Sequence, residues 1–419
     1  MTVRWRSGDE YQNGEQDMST VDMKSKPSDS NLRACYGAFV IELEDLLANG
    51  VTATPRPWFS GAVGLVRWRG ETRALAAVGQ TARYADLDGT PAPEHLCRPV
   101  TESTLFDLAS ITKLFVTTTL LTLVEEGRLD LDEPIATWLP SFRGSDRTGV
   151  TLRRLLTHTS GLPALLSLWT DWPDREARAA AVLNAPLVNP PGTTFEYSCV
   201  GYLVAGLLAT QVTGRPLPEL VRDRVCGPLG LVDTGYLPSP SQVERTAATE
   251  YQPYVGRGMV RGSVHDENSW SLGGTGGNAG IFGTAAELAR FGEMLRGHGA
   301  VDGVRVLSED TVAEMTRDQL PASIEPGFRH GLGVRIADPQ SMGVLAGSGD
   351  AGGSAAFGHT GFTGTSLVVD SRRELVVVVL TNRVHPSRDW SDVRGVRCGV
   401  AALAASIAED PNQSKVNLP

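Results

Sequence analysis

The alternation of apolar and polar positions divides the chain into segments of different secondary structure. Residues 32–50, LRACYGAFVIELEDLLANG, place apolar side chains one helical turn apart, and they predict a helix that ends at Gly50. The next two segments, WFSGAVGLVRWRG at 58–70 and ETRALAAVGQTARY at 71–84, have the composition of β-strands. Because a turn at Gly70 separates them, they predict an antiparallel hairpin.

A long helical region follows the hairpin. Residues 106–127, FDLASITKLFVTTTLLTLVEEG, predict a helix with an apolar interior, and helical patterns continue to residue 290. Strand patterns then return in three segments: FGHTGF at 357–362, TSLVVD at 365–370 and ELVVVVLTN at 374–382. A last amphipathic segment, residues 389–408, predicts a helix that packs on the sheet.

The order of strands, then helices, then strands predicts a sheet domain that is interrupted by a helical one. We therefore predict an α+β fold, an α/β sandwich in which helices flank an antiparallel sheet and a mostly helical domain is inserted. The predicted boundaries are a disordered polar tail at 1–31, a sheet domain at 32–105 and 285–410, a helical domain at 106–284 and a tail at 411–419. The helix that contains Ser110 is expected at the interface between the two domains.

The composition argues against several classes of partner. The 419 residues carry a net charge of −10 and no basic run with interleaved aromatic residues, so nucleic acid is not an expected partner. No segment approaches the roughly 20 apolar residues that a membrane-spanning helix needs. The polar first thirty residues do not resemble a signal peptide. We expect a cytoplasmic protein without a membrane partner, and its oligomeric state is left open.

The cysteines and histidines give no indication of a metal centre. The five cysteines are odd in number and form no CxxC pair, which predicts reduced thiols, and the seven histidines form no HExxH motif. The segment GSGDAG at 347–352 matches GxGxxG, but it leads toward a strand and not into a helix, unlike a dinucleotide site. We therefore expect neither a metal nor another cofactor.

Lys113 is unusual because it is the only lysine between residues 27 and 414 and has apolar neighbours. Ser110 precedes it by three positions, so on a helix the two side chains share one face. Burial lowers the pKa of an amine, and a neutral amine beside a serine hydroxyl can accept its proton. The pair predicts an activated nucleophile. The alternative is a structural lysine with a buried stem and a solvated ammonium.

Three short motifs, in order along the chain, resemble those of a known superfamily. They are Ser110-Ile111-Thr112-Lys113, Tyr197-Ser198-Cys199 within PPGTTFEYSCVGYLVAG, and His359-Thr360-Gly361 within FGHTGFTG. Flanking segments such as LLTHTSGLP at 155–163 and NAGIFGTAAELARF at 278–291 add to the likeness. Over residues 35–405 the sequence resembles the serine β-lactamase and penicillin-binding protein superfamily, in the branch of class C β-lactamases, carboxylesterases, and D-stereospecific amidases and peptidases. A β-lactamase-like fold is implied.

The resemblance also implies a role for each motif. Ser110 is the implied nucleophile, which forms an acyl-enzyme. Lys113 and Tyr197 share the proton transfers, and which of the two is the base is left open. The backbone NH groups of Ser110 and Phe362 are the implied oxyanion donors. Gly361, which has no Cβ, is expected to let the substrate lie close along the strand.

Two positions depart from the superfamily's motifs and bear on the substrate. His359 stands where a lysine usually precedes Thr360 and Gly361; because histidine is mostly neutral at pH 7, we expect the anchor for anionic substrates to be lost. Cys199 stands where an asparagine usually follows Tyr197 by two positions, so a weak thiol replaces an amide donor. Both departures point away from β-lactamase and transpeptidase activity.

We expect a serine hydrolase that cleaves an ester or amide of a small molecule. Two alternatives stay open: an acyltransferase that passes the acyl group to an amine or alcohol in a small-molecule pathway, and a non-catalytic binding relative with the same fold. His158 is expected to be structural, with its ring bonded to a loop carbonyl. Loop aromatic residues are candidates for the pocket wall or for packing between domains: Trp169, Trp172, Tyr251, Tyr254 and Trp270.

Overall fold

The computed structural model describes residues 29–144, 146–347 and 356–409, with side chains from residue 37 onward. Nearly all of the predicted N-terminal tail, the whole C-terminal tail and all but the first residue of GSGDAG lie outside these ranges. In the described part of the chain, no helix is both long and apolar enough to cross a membrane.

The described chain contains both short and long α-helices. They are α1 (Asp29–Thr52), α2 (Thr112–Glu125), α3 (Leu152–Leu156), α4 (Leu168–Asp171), α5 (Arg175–Leu183), α6 (Cys199–Thr213), α7 (Leu217–Val221), α8 (Gly227–Leu229), α9 (Pro240–Val243), α10 (Glu267–Ser271), α11 (Ala285–Arg296), α12 (Glu309–Thr316), α13 (Pro339–Met342) and α14 (Arg394–Glu409). Short 3₁₀ turns also occur, and one of them, Ala109–Ile111, directly precedes α2.

The strands form one large sheet and two small ones. They are β1 (Gly61–Trp68), β2 (Glu71–Gly79), β3 (Phe106–Asp107), β4 (Gly235–Tyr236), β5 (Ile281–Gly283), β6 (Ala300–Val301), β7 (Val304–Arg305), β8 (Arg329–His330), β9 (Arg335–Ile336), β10 (Phe357–Thr360), β11 (Ser366–Asp370) and β12 (Leu375–Thr381). The large sheet has the order β2-β1-β12-β11-β10-β9-β8, and its paired strands are antiparallel. The predicted hairpin is therefore confirmed as β1 and β2.

Both faces of the large sheet are covered, as strand β12 shows. Val376, Val378 and Leu380 belong to one apolar cluster, together with α2 and α11. Residues 375, 377 and 379 alternate with them and belong to a second cluster, together with α1 and α14. Because successive side chains of a strand point to opposite faces, an unbroken apolar run suits a central strand. An antiparallel sheet flanked by helices is thus confirmed, and α14 packs on it as predicted.

Two helix boundaries differ from the prediction. Helix α1 does not end at Gly50 but continues to Thr52. A Cβ at residue 50 would lie only 2.2 Å from the ring of Phe59, so this glycine serves close packing and not the end of the helix. The last helix begins at Arg394, five residues later than predicted.

The segment 106–127 is not one helix either. Phe106 and Asp107 pair with Gly283 and Phe282 as the short strand β3, and the α-helix begins only at Thr112. The pairing partner lies far away along the chain, so helical periodicity within the segment could not reveal it. The helices α2 to α10 follow β2 and precede α11, in the range predicted for an inserted helical domain. The domain boundaries themselves stay a prediction.

Candidate active site

The serine and the lysine of the first motif meet at the start of α2. Ser110 lies in the 3₁₀ turn Ala109–Ile111, which we call the Ser110 turn, and Lys113 is the second residue of the helix. The side chain of Lys113 has no solvent exposure. Its Nζ donates to Ser110 Oγ over 2.9 Å and to the carbonyl oxygen of Asn278 over 3.0 Å. The structural alternative of a lysine that reaches water is therefore wrong.

The pKa of Lys113 shifts in the direction opposite to the expectation. Burial alone would lower the pKa of Lys113, but the nearby Cys199 thiol and Tyr197 phenol, which become anions at high pH, together raise that pKa above its ordinary value. Nζ donates both of these hydrogen bonds. The prediction that burial lowers the pKa of this amine is wrong, because the effect of its neighbours outweighs the loss of solvation.

The second motif reaches the same place from the start of helix α6. Ser198 caps this helix by accepting the NH of Gly201 over 2.9 Å, which places Tyr197 just before the first turn. Lys113 Nζ lies 5.1 Å from the centre of the Tyr197 ring. Burial raises the pKa of the Cys199 thiol, so Cys199 is neutral at pH 7. The sequence-predicted residues of the first two motifs are thus brought together.

His158 is buried beside Tyr197, with 4.4 Å between the ring centres. Its Nδ1 accepts the backbone NH of Ser198 over 3.0 Å, so the expected bond to a loop carbonyl is wrong. This bond joins the loop after α3 to the cap of α6. His158 therefore helps to fix the position of the Tyr197 ring, a role that its place in LLTHTSGLP did not reveal.

The histidine of the third motif is buried and neutral. His359 lies in β10, and only 1% of its surface is exposed. Its Nδ1 lies 2.7 Å from the carbonyl oxygen of Thr360, which can only accept, so Nδ1 carries the proton. Burial, with the charges of Arg335 and Lys113, holds the pKa of His359 well below its usual range. His359 therefore supplies no positive charge to a substrate.

The turn after β10, residues 361–365, is called the Gly361 turn and packs directly on the Ser110 turn. A Cβ on Gly361 would lie 2.5 Å from the carbonyl oxygen of Leu108 and 2.0 Å from Thr365 Oγ1. Glycine is thus required by the chain's own backbone, whereas the sequence suggested only room for a substrate. Within the described residues, the backbone NH groups of Ser110 and Phe362 have no acceptor, which leaves both free to bind an oxyanion.

A cleft of about 470 Å³ opens at Ser110 and contains residues that the sequence analysis missed. Its wall includes Tyr197, Thr360, Gly361 and Phe362, as predicted, but none of the five loop aromatic residues. Four arginines also line it, with one carboxylate: Arg335, Arg383, Arg394, Arg397 and Asp392. The arginines come from β9, from the loop after β12 and from the first turn of α14, so no local motif unites them.

Two of these arginines form an ion pair with a nearby aspartate, and two form none with a described residue. Arg335 pairs with Asp338 and Arg394 with Asp392, but Arg383 and Arg397 form no ion pair within the described part of the chain. Arg397 Nη2 donates to the carbonyl oxygens of Gly361 and Thr365 over 3.2 and 2.9 Å. Burial, with Arg383 and Arg335 nearby, lowers the pKa of Arg397 to about 10. The cleft therefore contains positive charge although the third motif has no lysine.

Comparisons with known proteins agree with this geometry. The family model described as Beta-lactamase matches residues 47–397. The N-acetylmuramyl-L-alanine amidase of Bacillus subtilis (strain 168) is 30% identical over 358 residues, which cover 78% of each chain. The chain therefore belongs to the β-lactamase family, within the serine β-lactamase and penicillin-binding protein superfamily that its motifs indicated.

Solved structures show the same fold at lower identity. A class C beta-lactamase mutant superimposes with a TM-score of 0.70 at 18% identity, covering 89% of this chain and 98% of that one. EstCE1, described as a hydrolase with promiscuous acyltransferase activity, gives a TM-score of 0.68 at 23% identity. The superposition covers 88% of this chain and 99% of that one. The predicted β-lactamase-like fold is thus confirmed.

Proposed function

We propose that this protein is a serine hydrolase that cleaves an ester or amide of a small molecule through an acyl-enzyme on Ser110. The contact between Lys113 Nζ and Ser110 Oγ, 2.9 Å long and closed off from water on the lysine side, supports the proposal most. A serine hydroxyl needs a neighbouring group that can take its proton. Tyr197 is the second such group, and Tyr197 and Ser110 line a cleft that can admit a substrate.

In the proposed reaction, Ser110 Oγ attacks the carbonyl carbon of the substrate while its proton passes to the Lys113–Tyr197 pair. Because the pKa of Lys113 is raised, the pair must first lose one proton, and the group left unprotonated then accepts the proton of Ser110. The oxyanion accepts the backbone NH groups of Ser110 and Phe362. The pair returns the proton to the leaving alcohol or amine. Water then attacks the acyl-serine by the same route and releases the acid.

We further propose that the substrate carries an acidic group. Arg397 and Arg383 bring two positive charges without a paired carboxylate into the wall of the Ser110 cleft, although the chain as a whole has a net charge of −10. An unpaired charge in a poorly solvated place is costly, and an anionic ligand offsets that cost. The Nη1 atom of Arg397 makes no hydrogen bond to a described residue, so it is free to meet a carboxylate.

An acyltransferase is the second candidate, and EstCE1, whose title names a promiscuous acyltransferase activity, favours keeping it. Transfer and hydrolysis share the acyl-serine and differ only in whether water or another nucleophile attacks it. Products should be measured with and without added amines and alcohols. Release of free acid alone, at every acceptor concentration, would exclude transfer.

The proposed function is tested by labelling and by burst kinetics. A fluorophosphonate should modify Ser110, as located by mass spectrometry of the digested protein, and p-nitrophenyl acetate should release one equivalent of nitrophenol in a burst. Ser110→Ala should show neither effect. Labelling of another residue, or full turnover by Ser110→Ala, would contradict the proposal, and the absence of both labelling and nitrophenol release would favour the non-catalytic binding relative.

A further inference from the structure

Asp107 is a buried acidic residue that the proposed reaction does not use. Its Oδ1 accepts the NH of Ala109 over 2.8 Å, and its Oδ2 accepts the NH of His265 over 2.6 Å. Its backbone carbonyl oxygen accepts the hydroxyl of Thr363 over 2.7 Å. One residue therefore joins the Ser110 turn, the loop before α10 and the Gly361 turn. Only 2% of Asp107 is exposed, and burial raises its pKa.

The bond to Ala109 occurs at a strained position of the backbone. Ala109 has a φ of +48°, in the left-handed region that residues with a Cβ rarely adopt. An aspartate can stabilise such a turn by accepting the NH two positions further on, as Asp107 does here. Ser110 follows Ala109 directly, so the direction of its side chain depends on this conformation.

The same residue also fixes the opposite side of the candidate oxyanion site. The Thr363 hydroxyl reaches Asp107, and the Thr365 hydroxyl donates to the carbonyl oxygen of Leu108 over 3.0 Å. These bonds hold the Gly361 turn, which includes Phe362, against the Ser110 turn. The two free NH groups belong to segments more than 250 residues apart, and Asp107 and Leu108 are the link between them.

We propose that Asp107 is a positioning residue that sets Ser110 and the NH of Phe362 in register for the acylation step. Its carboxylate holds the left-handed turn before the nucleophile, and its carbonyl oxygen holds the turn that carries the second oxyanion donor. This inference rests on the proposed function of Ser110. A substitution at a residue that only supports the fold would lower the fraction of folded protein. A substitution at Asp107 should instead lower the kcat of the protein that is folded.

The test is the isosteric change Asp107→Asn in the full-length chain. An asparagine keeps one carbonyl oxygen but turns the second acceptor into a donor that faces a backbone NH. A misplacement of about 1 Å can cost about 100-fold in rate, so kcat should fall by about 100-fold. KM should change by less than about twofold, because the contact acts in the transition state and not in binding. The rate of fluorophosphonate labelling of Ser110 should fall in parallel with kcat.

A matched control separates positioning from folding. Asp370 is also buried and accepts a backbone NH, that of Arg373, over 2.9 Å, but it lies at the far end of β11 and is not part of the Ser110 cleft. Asp370→Asn should lower the unfolding midpoint while kcat is unchanged. If Asp107→Asn behaves in the same way, the inference is overturned. If wild-type Ser110 is not labelled at all, the proposed function fails instead.

Thr363 gives a second test should Asp107→Asn fail to fold. Thr363→Val removes the hydroxyl that reaches Asp107 at nearly constant volume, and Thr363→Ser keeps it. The valine variant should lose kcat by about tenfold, as expected for one lost hydrogen bond, and the serine variant should retain it. Equal kcat values for both variants would overturn the inference.

Discussion

The buried histidines behind Tyr197 and the wall of the Ser110 cleft differ in charge. Behind Tyr197 lie three buried histidines, His158, His330 and His359, and burial lowers the pKa of each, for His330 to about 4. The wall of the cleft carries four arginines and one aspartate. The histidine of the third motif is thus neutral, and elements outside the motif carry the positive charge. A lost motif residue therefore does not establish a lost function, because tertiary neighbours can supply the charge.

The largest expected effect comes from removing Lys113, which contacts Ser110. Lys113→Met should lower kcat/KM by about 10³-fold, because Ser110 loses a group that takes part in the transfer of its proton. Hydrolysis of a p-nitrophenyl ester measures this change. Arg394→Gln is the matched control, since Arg394 is an exposed residue of the cleft rim, and its kcat/KM for a neutral ester should stay near wild type. A Lys113→Met protein with wild-type activity would place the chemistry elsewhere.

Selection of anionic substrates by the arginines of the cleft is tested with two esters of equal length, one ending in a carboxylate and one in a methyl group. Arg397→Met should lower kcat/KM for the anionic ester about 10- to 100-fold more than for the neutral one, as expected for a lost charged hydrogen bond. The ratio cancels any damage to the Gly361 turn, which Arg397 also contacts. An unchanged ratio would show that the arginines do not select anions.

The neutral state of the third motif is tested by placing the lysine that is usual there at position 359. His359→Lys would place an ammonium where only 1% of the residue is exposed, beside Lys113 and Arg335. Because a buried charge without a partner costs about 3–5 kcal/mol, we expect a loss of stability of this order in urea unfolding. His359→Gln, a neutral replacement, should lose less. Equal stability of the lysine variant and wild type would mean that this position can hold a charge.

The smallest expected effect concerns the pH dependence of kcat/KM, which should show no inflection near pH 6.5. The pKa of Lys113 is raised, so the Lys113–Tyr197 pair loses its proton only as the pH rises, and kcat/KM should increase about tenfold per pH unit toward the alkaline range. The histidines, whose pKa values are lowered, are already neutral at pH 6.5 and should add no step there. An inflection near pH 6.5 that disappears in His359→Gln would contradict the neutral state of His359.

The sequence predicted what depends on local spacing. The spacing of three positions from Ser110 to Lys113 and the strand composition of β1 and β12 are set by neighbours along the chain, and the structure places them accordingly. It could not predict that Phe106 begins a strand, because the partner is residue 283. The charge of Lys113 and the cluster around Arg397 depend likewise on contacts between distant segments. Domain boundaries and a cytoplasmic location stay predictions.

The contact between Leu108 and Gly361 has a consequence for the order in which the protein is made. Ser110 and Lys113 belong to the first third of the chain, but Phe362 and Arg397 are synthesised much later. A nascent chain that stops before β10 would expose a serine without the groups that complete its surroundings. Ribosome-bound fragments of increasing length should therefore gain reactivity toward fluorophosphonate abruptly, once α14 has emerged.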